Sequence, residues 1–293
     1  MSGLKSIIDE NSRVIVQGIT GKEGRFHAEA MLSFGTRIVA GVSPGKEGQQ
    51  VNGVPVYNTV HQAVSNHSAN TSIVFVPARF APSAINEAIE AGIKTIVAIT
   101  ELIPQRDSVG FIAKAEEAGT VIVGPNTPGI INPPKRVKVG IMPNHIFQPG
   151  SIAVASRSGT LMYEIAWRLS NAGLGQSTCI GIGGDAIVGL DFVRLLEMLK
   201  DDEETKGVVL IGEVGGETEE LAAQYIRETH YPKPVVAYVA GRSAPPEKRM
   251  GHAGAIVMGS IGTAASKVEA FISAGVPVAE KPSDIVRLLE GRT

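Results

Sequence analysis

The chain has 293 residues, a length that predicts two domains, each able to bury a core of its own. Its formal net charge of -2 excludes the broad basic field that nucleic-acid-binding proteins carry. The single cysteine, Cys179, excludes an internal disulfide and indicates a reducing compartment. The sequence has no apolar run long enough to span a bilayer, and its first residues lack the apolar core of a signal peptide. We therefore expect a cytoplasmic protein that binds neither nucleic acid nor membrane.

Short β-branched runs alternate with helical patterns along the first half of the chain. Strands are predicted at residues 13–17, 37–42, 71–77, 94–100 and 120–126. Two of the segments between them, 83–92 and 109–119, have apolar residues at helical spacing and end in glycine, as helices commonly do. Near-continuous apolar strands that alternate with helices indicate an α/β fold, with a parallel sheet covered on both faces.

The second half of the chain repeats this alternation. Strands are predicted at residues 151–156, 177–184, 206–216, 233–241 and 276–280, and helices at 160–173, 190–200, 218–229 and 264–275. Between the halves, residues 125–150 are rich in proline and glycine and contain only a short apolar run, which is typical of a connection between domains. We expect a first domain over residues 1–126, a connecting segment over 127–150 and a second domain over 151–293.

A glycine-rich turn follows the first predicted strand. Gly18, Gly21 and Gly24 lie between that strand and a helical pattern, which is the context of a phosphate-binding turn. A dinucleotide site also requires an acidic residue at the end of the second strand, but Ser43 stands there. The cation of Lys46 follows, and it suits a ligand with an additional phosphate on its adenosine ribose, such as coenzyme A or NADP. A tight strand–helix turn without a ligand is the alternative.

A second candidate for phosphate binding lies at residues 156–160. A predicted strand ends at Ser156, and Ser158, Gly159 and Thr160 then open a helix. Hydroxyl groups, backbone N–H groups and the positive end of a helix dipole can bind a phosphoryl group without a metal. A plain helix cap by Ser158 is the alternative. Since one cap needs one serine, the additional small and hydroxyl residues favour an anion site.

His252 lies in a glycine-rich segment, residues 251–254, where we expect its ring to be accessible. Glu213 lies at the end of a predicted strand and precedes two glycines, and ligand sites of open α/β sheets gather beyond such strand ends. A carboxylate on one ring nitrogen fixes the tautomer and leaves the other nitrogen as a nucleophile. The combination predicts a transient phosphohistidine. A solvated surface carboxylate is the alternative for Glu213.

Other catalytic and metal-binding patterns are absent from the sequence. The remaining histidines do not share the setting of His252; they are His27, His61, His67, His145 and His230. No paired His or Cys spacing indicates a structural metal, so no metal is expected on this chain. There is also no nucleophile elbow and no GxxxxGK[ST] loop. A nucleotide that exchanges phosphate with His252 is therefore expected to bind on another chain.

Several motifs together resemble one family. They are QGITGKEG, GPNTPGIINP, SRSGTLMYE, GIGGD, GEVGG and KRMGHAGAI. With these motifs in order, the chain resembles the α subunit of ADP- or GDP-forming succinate–CoA ligase over essentially its whole length. The resemblance implies an N-terminal Rossmann-like CoA-binding domain, followed by a flavodoxin-like ligase domain with a parallel sheet. It also implies a partner β subunit with an ATP-grasp fold that carries the nucleotide and magnesium, in an αβ or α2β2 assembly.

The resemblance also assigns roles to individual residues. His252 becomes the phosphorylated residue, Glu213 its orienting carboxylate, and Tyr163 a substrate contact near the subunit interface, while residues 158–160 would hold the phosphohistidine. The residues assigned to coenzyme A are Thr20, Gly21, Lys22, Glu23, Lys46, Ile99, Thr100 and Glu101. In the implied reaction, phosphate converts succinyl-CoA to succinyl phosphate and CoA. His252 then takes the phosphoryl group and passes it to ADP or GDP on the β subunit.

The sequence departs from the family pattern at three places. Thr127 replaces the usual Cys of a GPNCPG motif, and Asn144 replaces the Gly of a PGH triplet. Pro246 and Glu247 stand in a segment that is usually more basic, so the approach to His252 is expected to be less basic. Loss of the thiol at Thr127 removes a reactive group near the site but is not expected to prevent the reaction.

Three alternative functions are open from the sequence. An enzyme of the same class that acts on malate, acetate or another acid is the nearest alternative, because the sequence does not show which residues select the acid. A nicotinamide-dependent dehydrogenase is disfavoured by the missing acidic residue and by the second phosphate loop. A CoA- or nucleotide-sensing regulator would use the first domain but leave His252 and Glu213 without a role. The choice between ADP and GDP is expected to lie with the other subunit.

Overall fold

The structure, a computed structural model, describes residues 7–242, 252, 254–256 and 262–292. These residues form two compact units. The first comprises Ile7–Asn144 and Ile187–Gly189, and the second comprises His145–Ala186 and the described residues from Leu190 onward. Within the described ranges, no helix is both long and apolar enough to cross a membrane. Pro246 and Glu247 lie outside the described residues, and the domain boundaries expected at 126 and 151 stay a prediction.

A seven-stranded sheet forms the centre of the first unit. Its strands are β1 (Val14–Gln17), β2 (Ile38–Val42), β3 (Gln50–Val51), β4 (Val54–Tyr57), β5 (Thr71–Val74), β6 (Thr95–Ala98) and β7 (Val121–Val123). They lie in the order β3-β4-β2-β1-β5-β6-β7, and β3 and β4 pair antiparallel while the other neighbours pair parallel. The connecting helices are α1 (Lys22–Phe34), α2 (Val60–His67), α3 (Ala81–Glu90) and α4 (Gln105–Ala118). Because β2 and β5 flank β1 on opposite sides, the winding reverses at β1, where open α/β sheets bind ligands.

The core of this unit is formed by apolar strands and by one apolar stripe on each helix. All four residues of β1, β5 and β6 are buried. On α3 the buried stripe includes Ile85 and Ile89, and on α4 it includes Phe111 and Ala115, so each stripe follows the helical repeat. Burial of these side chains from water is the main term that stabilises the unit.

The turn between β1 and α1 depends on two glycines. Gly18 has φ of 80°, a conformation that side chains rarely adopt. A Cβ on Gly24, inside the first turn of α1, would overlap the carbonyl oxygen of Gly18. Glycine at both positions therefore lets the helix begin directly against the end of the strand, with its first N–H groups at the sheet edge.

A hairpin of β8 (Gly129–Asn132) and β9 (Val137–Gly140) follows in the first unit. It contacts the segment after α1 through Thr36, whose hydroxyl donates to the carbonyl of Lys138 (2.7 Å) and accepts from its N–H (2.9 Å). The sequence predicts a connection between domains here, with little regular structure. Strands were missed here because each is only four residues long and lies in a proline- and glycine-rich segment.

The ammonium group of Lys138 is buried beside α1. It donates to the carbonyl of Met142 (2.8 Å) and to the side-chain oxygen of Asn144. The amide of Asn144 in turn donates to the carbonyl of Ala30 in α1 (2.9 Å) and to the hydroxyl of Ser33 (3.1 Å). Burial lowers the pKa of Lys138 to about 8. The departure from the family pattern at Asn144 thus adds hydrogen bonds to the carboxyl half of α1.

A parallel sheet also forms the centre of the second unit. Its strands are β10 (Pro149–Ser156), β11 (Gln176–Gly181), β12 (Gly207–Glu213), β13 (Val235–Ala240) and β14 (Val278–Ala279). They lie in the order β14-β13-β12-β10-β11, and the winding reverses at β10. The helices are α5 (Gly159–Asn171), α6 (Phe192–Lys200), α7 (Thr218–Thr229), α8 (Ala264–Ser273) and α9 (Asp284–Leu289).

The expected α/β fold class is confirmed: each of the two units is built on a largely parallel sheet with interleaved helices. Each predicted strand overlaps an observed one, and each predicted helix overlaps an observed helix. The elements that the sequence reading missed are short or polar. They are β3, β4, α2, β8, β9 and α9.

The close contact in the first turn predicts opposite effects for two glycine-to-alanine changes. Gly24→Ala should destabilise the first unit by about 1–3 kcal/mol, since backbone atoms would have to move. Gly110→Ala should stabilise it by about 0.5–1 kcal/mol, because Gly110 lies inside α4 and a Cβ there meets no atom within 4 Å. Urea unfolding of both variants measures the two changes. A Gly24→Ala variant as stable as the unchanged chain would contradict the close contact.

Candidate active site

His252 and Glu213 lie together at the carboxyl edge of the second sheet. β12 ends at Glu213, and both oxygens of its carboxylate lie 2.9 Å from Nδ1 of His252. Arg157 follows the neighbouring strand β10, and Gly184 follows β11, the strand on the far side of β10. The imidazole–carboxylate pair expected from the sequence therefore lies where the sheet reverses its winding, at the strand ends that face ligands in open α/β sheets.

Three glycines let the segment around His252 lie directly on the strand ends. A Cβ on Gly184 would come within 2.6 Å of Cγ of His252. A Cβ on Gly254 would come within 2.8 Å of Nη2 of Arg157, and its N–H donates to the carbonyl of Gly184 (3.1 Å). Gly215 has φ of 91°, and a Cβ there would overlap the carbonyl oxygen of Gly254. Any side chain at these positions would push the imidazole away from its carboxylate.

The contact with Glu213 controls the charge and the tautomer of the imidazole. The hydrogen bond to this carboxylate raises the pKa of His252 above 6.5, and burial of the ring opposes the effect. Arg157 also lowers the pKa, whereas Asp185 raises it. Glu213 is buried, with 9% of its side chain exposed, while 31% of the histidine side chain is exposed. When the ring is neutral, Nδ1 donates to the carboxylate and Nε2 carries the lone pair, which is the form suited to nucleophilic attack.

The hydroxyl groups at the start of α5 have partners within the chain. Ser156 donates its hydroxyl to the carbonyl of Ser158 (2.7 Å) and accepts from the N–H of Ser158 (3.0 Å). The hydroxyl of Ser158 accepts from the N–H of Leu161 (3.4 Å), so this residue caps the helix. The helix cap by Ser158, which is the alternative to an anion site, is therefore present. Gly159 and Thr160 form the first turn, and Thr160 is exposed. A phosphate-binding role for these residues stays a prediction.

Tyr163 lies one turn further along α5. Its ring packs edge-on against Phe147, with ring centres 6.3 Å apart. Burial raises the pKa of its hydroxyl to about 12, so this group stays protonated and can donate a hydrogen bond at neutral pH. The assigned contact with substrate stays a prediction.

Beside Glu213 lie buried charged residues to which the sequence analysis assigns no role. Nη2 of Arg157 lies 3.4 Å from Oε1 of Glu213, and Nη1 lies 3.5 Å from Oε1 of Glu219. Glu219 also accepts from the ammonium group of Lys267. Neither Glu219 nor Lys267 has any measurable exposure. A signal was present, because Glu219 shares the stripe of α7 that buries Ala222 and Ile226. A charged residue in an otherwise apolar stripe is rarely buried without a partner.

The residues assigned to coenzyme A lie beyond the carboxyl ends of β1, β2 and β6 in the first unit. Those after β1 and β2 are Thr20, Gly21, Lys22, Glu23 and Lys46. Gly21 is the N-cap of α1, so the positive end of the helix dipole lies at this turn. Lys22 and Lys46 are exposed, and the hydroxyl of Thr20 donates to that of Ser43 (3.0 Å). The turn thus presents N–H groups and two cations to solvent.

The residues after β6 are Ile99, Thr100 and Glu101. Thr100 donates its hydroxyl to the carbonyl of Val76 (2.8 Å), which joins the turn after β6 to the turn after β5. Ile99 is half-buried and Glu101 is exposed. These residues lie at the same edge of the sheet as the glycine-rich turn, because all the strands involved are parallel. Their contact with a ligand stays a prediction.

Two further expectations concern Thr127 and a metal. Thr127 is buried, and its hydroxyl accepts from the N–H of Gly129 (2.9 Å), so it supports the start of β8. Across the described residues, no group of three or more His, Cys, Asp or Glu side chains is arranged to hold a metal ion.

Two family profiles match the chain. The profile described as a CoA binding domain matches residues 9–102, which hold the turn after β1. The profile described as CoA-ligase matches residues 155–276, which hold Glu213 and His252.

Curated relatives match almost the whole chain. One of the α subunits of ADP-forming succinate–CoA ligase from Archaeoglobus fulgidus, named subunit alpha 2, is 56% identical over 97% of this chain and 98% of its own length. The α subunit of the same enzyme from Methanothermobacter thermautotrophicus is 54% identical over 96% of this chain and 94% of its own. Among solved structures, ATP citrate lyase from Methanothrix soehngenii, in complex with citrate and coenzyme A, superimposes with a TM-score of 0.88 at 26% identity. That match covers 97% of this chain but only 50% of the lyase chain.

The geometry at Glu213 predicts the titration of His252. Because the carboxylate raises the pKa of the imidazole, His252 should be half-protonated at a pH above 6.5, and Glu213→Gln should move this midpoint to lower pH. Imidazole signals followed by NMR across pH 5–9 measure both midpoints, with the range chosen to cover roughly the titration of a histidine. Glu217→Gln is the matched control, since Glu217 is an exposed carboxylate of the same loop. A Glu213→Gln variant with an unchanged midpoint would contradict the assigned contact.

Proposed function

Because the chain belongs to the family of α subunits of ADP-forming succinate–CoA ligases, we propose that it catalyses the interconversion of succinyl-CoA and succinate through a phosphorylated histidine. The net reaction converts succinyl-CoA, phosphate and a nucleoside diphosphate to succinate, CoA and a nucleoside triphosphate. The observation that carries the proposal is the pair of 2.9 Å contacts from the buried carboxylate of Glu213 to Nδ1 of His252. This arrangement leaves Nε2 as the nucleophile.

The proposed reaction has three displacements, each with one bond formed and one broken. In the first, a phosphate oxygen attacks the thioester carbon, the C–S bond breaks and CoA leaves, which gives succinyl phosphate. In the second, Nε2 of His252 attacks phosphorus and the P–O bond to succinate breaks. In the third, the terminal oxygen of the nucleoside diphosphate attacks phosphorus and the P–N bond breaks. Glu213 stabilises the imidazolium that forms when the ring is phosphorylated, since its negative charge remains beside Nδ1.

The first turn of α5 is proposed to hold the phosphoryl group. Gly159 and Thr160 present backbone N–H groups at the positive end of the helix, where an anion is stabilised. The hydroxyls of Ser156 and Ser158 fix the shape of this turn through their bonds within the chain. Tyr163, protonated at neutral pH, is available on the same helix as a hydrogen-bond donor to substrate.

Coenzyme A is proposed to bind at the turn after β1. The N–H groups at the start of α1 are suited to its phosphates, and Lys46 to the phosphate on the adenosine ribose. Thr20, Gly21, Lys22 and Glu23 then line one side of the ligand, and Ile99, Thr100 and Glu101 the other.

The nucleotide is proposed to bind on a β subunit with an ATP-grasp fold, which also carries magnesium. The assembly is αβ or α2β2, and the protein is cytoplasmic. Succinate is the proposed acid, and malate or another small carboxylic acid is the competing choice for the same chemistry. A direct comparison of turnover with succinate and with malate, in the presence of the partner chain, decides between them.

Replacing His252 by Asn tests the covalent step. The complex with the partner chain is treated with Mg-ATP at neutral pH, and the intact mass of this chain is measured. The unchanged chain should gain one phosphoryl group that is lost in mild acid. The His252→Asn variant should gain none and form no nucleoside triphosphate, because it lacks the nucleophile, while its affinity for CoA stays unchanged. Turnover retained by His252→Asn would rule out the phosphohistidine.

Reversing the charge of Lys46 tests the coenzyme A site. Lys46→Glu should weaken CoA binding by roughly 10-fold or more, since one ion pair to a phosphate becomes a repulsion. Lys94→Glu is the matched control: Lys94 is also exposed, but it precedes β6 and so lies at the opposite edge of the same sheet. Calorimetry with CoA measures the dissociation constant of each variant. Equal weakening in both would show that only overall charge matters.

A further inference from the structure

A chain of buried ionic contacts continues from Glu213 away from His252. Arg157 lies between the carboxylates of Glu213 and Glu219, at 3.4 and 3.5 Å. Lys267 of α8 lies on the far side of Glu219 and forms an ion pair with it. We call the residues Arg157, Glu219 and Lys267 the buried charge network. Its members have exposures of 6%, 0% and 0%.

The buried charge network also fixes the backbone that follows β12. Glu219 accepts from the N–H of Glu213 (3.1 Å), Arg157 donates to the carbonyl of Gly215 (2.8 Å), and Lys267 donates to the carbonyl of Gly216 (3.0 Å). Three of the four residues 213–216 are therefore bound by the three members. Gly212 is needed for this approach, because a Cβ there would come within 2.7 Å of Oε1 of Glu219.

Such a network is not expected from stability alone. Burial of charged groups has a large desolvation penalty, and apolar side chains of similar volume often stabilise a core as well or better. Its members lie next to the reactive pair, and they determine which charges Glu213 experiences. A buried ionic network beside a nucleophile therefore calls for a functional explanation.

We propose that the buried charge network is a positioning device that holds the carboxylate of Glu213 in place, directed at Nδ1 of His252. This inference rests on the proposed function, in which Nε2 is the nucleophile. If the carboxylate of Glu213 turned away from Nδ1, the tautomer of the ring would not be fixed, and a proton on Nε2 would block the attack on phosphorus. The ion pair between Arg157 and Oε1 of Glu213 holds the carboxylate in place against this.

Glu219 is the member that determines how the guanidinium of Arg157 is shared between two carboxylates. One guanidinium nitrogen of Arg157 contacts Glu219, so only the other lies near Glu213. Arg157 therefore competes only partly with the imidazole of His252 for the carboxylate of Glu213. Lys267 forms an ion pair with Glu219 and holds its carboxylate in place. Among the described residues, the charged groups that act on the imidazole of His252 are Glu213 at the end of β12, Arg157 in the turn after β10 and Asp185 in the turn after β11. Asp185 is left unchanged in the variants below.

The test compares Glu219→Gln with Glu220→Gln. Glutamine keeps the shape of Glu219 but removes the charge that attracts Arg157, so the guanidinium should move toward Glu213 and weaken its bond to His252. The matched control Glu220 is the adjacent carboxylate, which contacts Ser266 and Lys267 and neither Arg157 nor Glu213. In Glu219→Gln we expect the NMR titration midpoint of His252 to fall and its phosphorylation in the complex to slow by roughly 10- to 100-fold. In Glu220→Gln both quantities should stay unchanged.

A double variant separates positioning from folding. Lys267→Met alone removes the closer of the two cations beside the buried Glu219, so we expect the chain to unfold more easily. Glu219→Gln combined with Lys267→Met removes both charges and should restore the unfolding midpoint. It should not restore the titration midpoint or the phosphorylation rate, because Arg157 still lacks its second carboxylate. Recovery of both quantities in the folded double variant would overturn the proposal.

The two readouts also separate this inference from the proposed function. The titration of His252 is measured without any phosphoryl donor, so it tests positioning even if the unchanged complex is not phosphorylated. Absence of phosphorylation in the unchanged complex counts against the proposed function only. A Glu219→Gln variant that folds and titrates like the unchanged chain counts against the positioning role.

Discussion

The second unit depends on one electrostatic constraint, which is that the carboxylate buried at the end of β12 needs charged or hydrogen-bonding partners. Glu213 meets this constraint through two cationic or polar neighbours, Arg157 and the imidazole of His252. The glycines at positions 184, 215 and 254 are required because both neighbours must approach within hydrogen-bonding distance. Because the strands are parallel, all of these groups lie at one edge of the sheet, and the fold itself sets the arrangement of the charges.

The two units solve the same physical problem with different means. In the first, the proposed site for coenzyme A combines the start of α1, glycines that bring the helix against the strand, and exposed lysines. In the second, the proposed phosphoryl site combines the start of α5 with a histidine whose pKa is shifted by nearby charged groups. Binding of a large soluble ligand suits exposed cations, whereas transfer of a phosphoryl group suits a site that controls one proton on one ring.

Much of this could be predicted from the sequence, since long apolar strands, glycine-rich turns and helical stripes have strong local signals. His252 and Glu213 could be paired because each stood beside glycines at a predicted strand end or loop. The strands β8 and β9 could not be predicted, because strands of four residues have little periodicity and so short a stretch does not show which segment it pairs with. The buried charge network was missed for a related reason. Glu219 and Lys267 are 48 residues apart, and only tertiary structure reveals that each neutralises the other.

The hydrogen bonds of Asn144 to Ala30 and Ser33 influence the step at which the turn before α1 loses its conformational entropy. A helix is a stiff rod, so holding the carboxyl half of α1 also restrains the turn at its other end, where Gly21 begins the helix. Conformational freedom of that turn is then lost once, when the chain folds, and need not be lost again at each encounter with a ligand. A substitution distant from the ligand can in this way raise affinity without adding a contact.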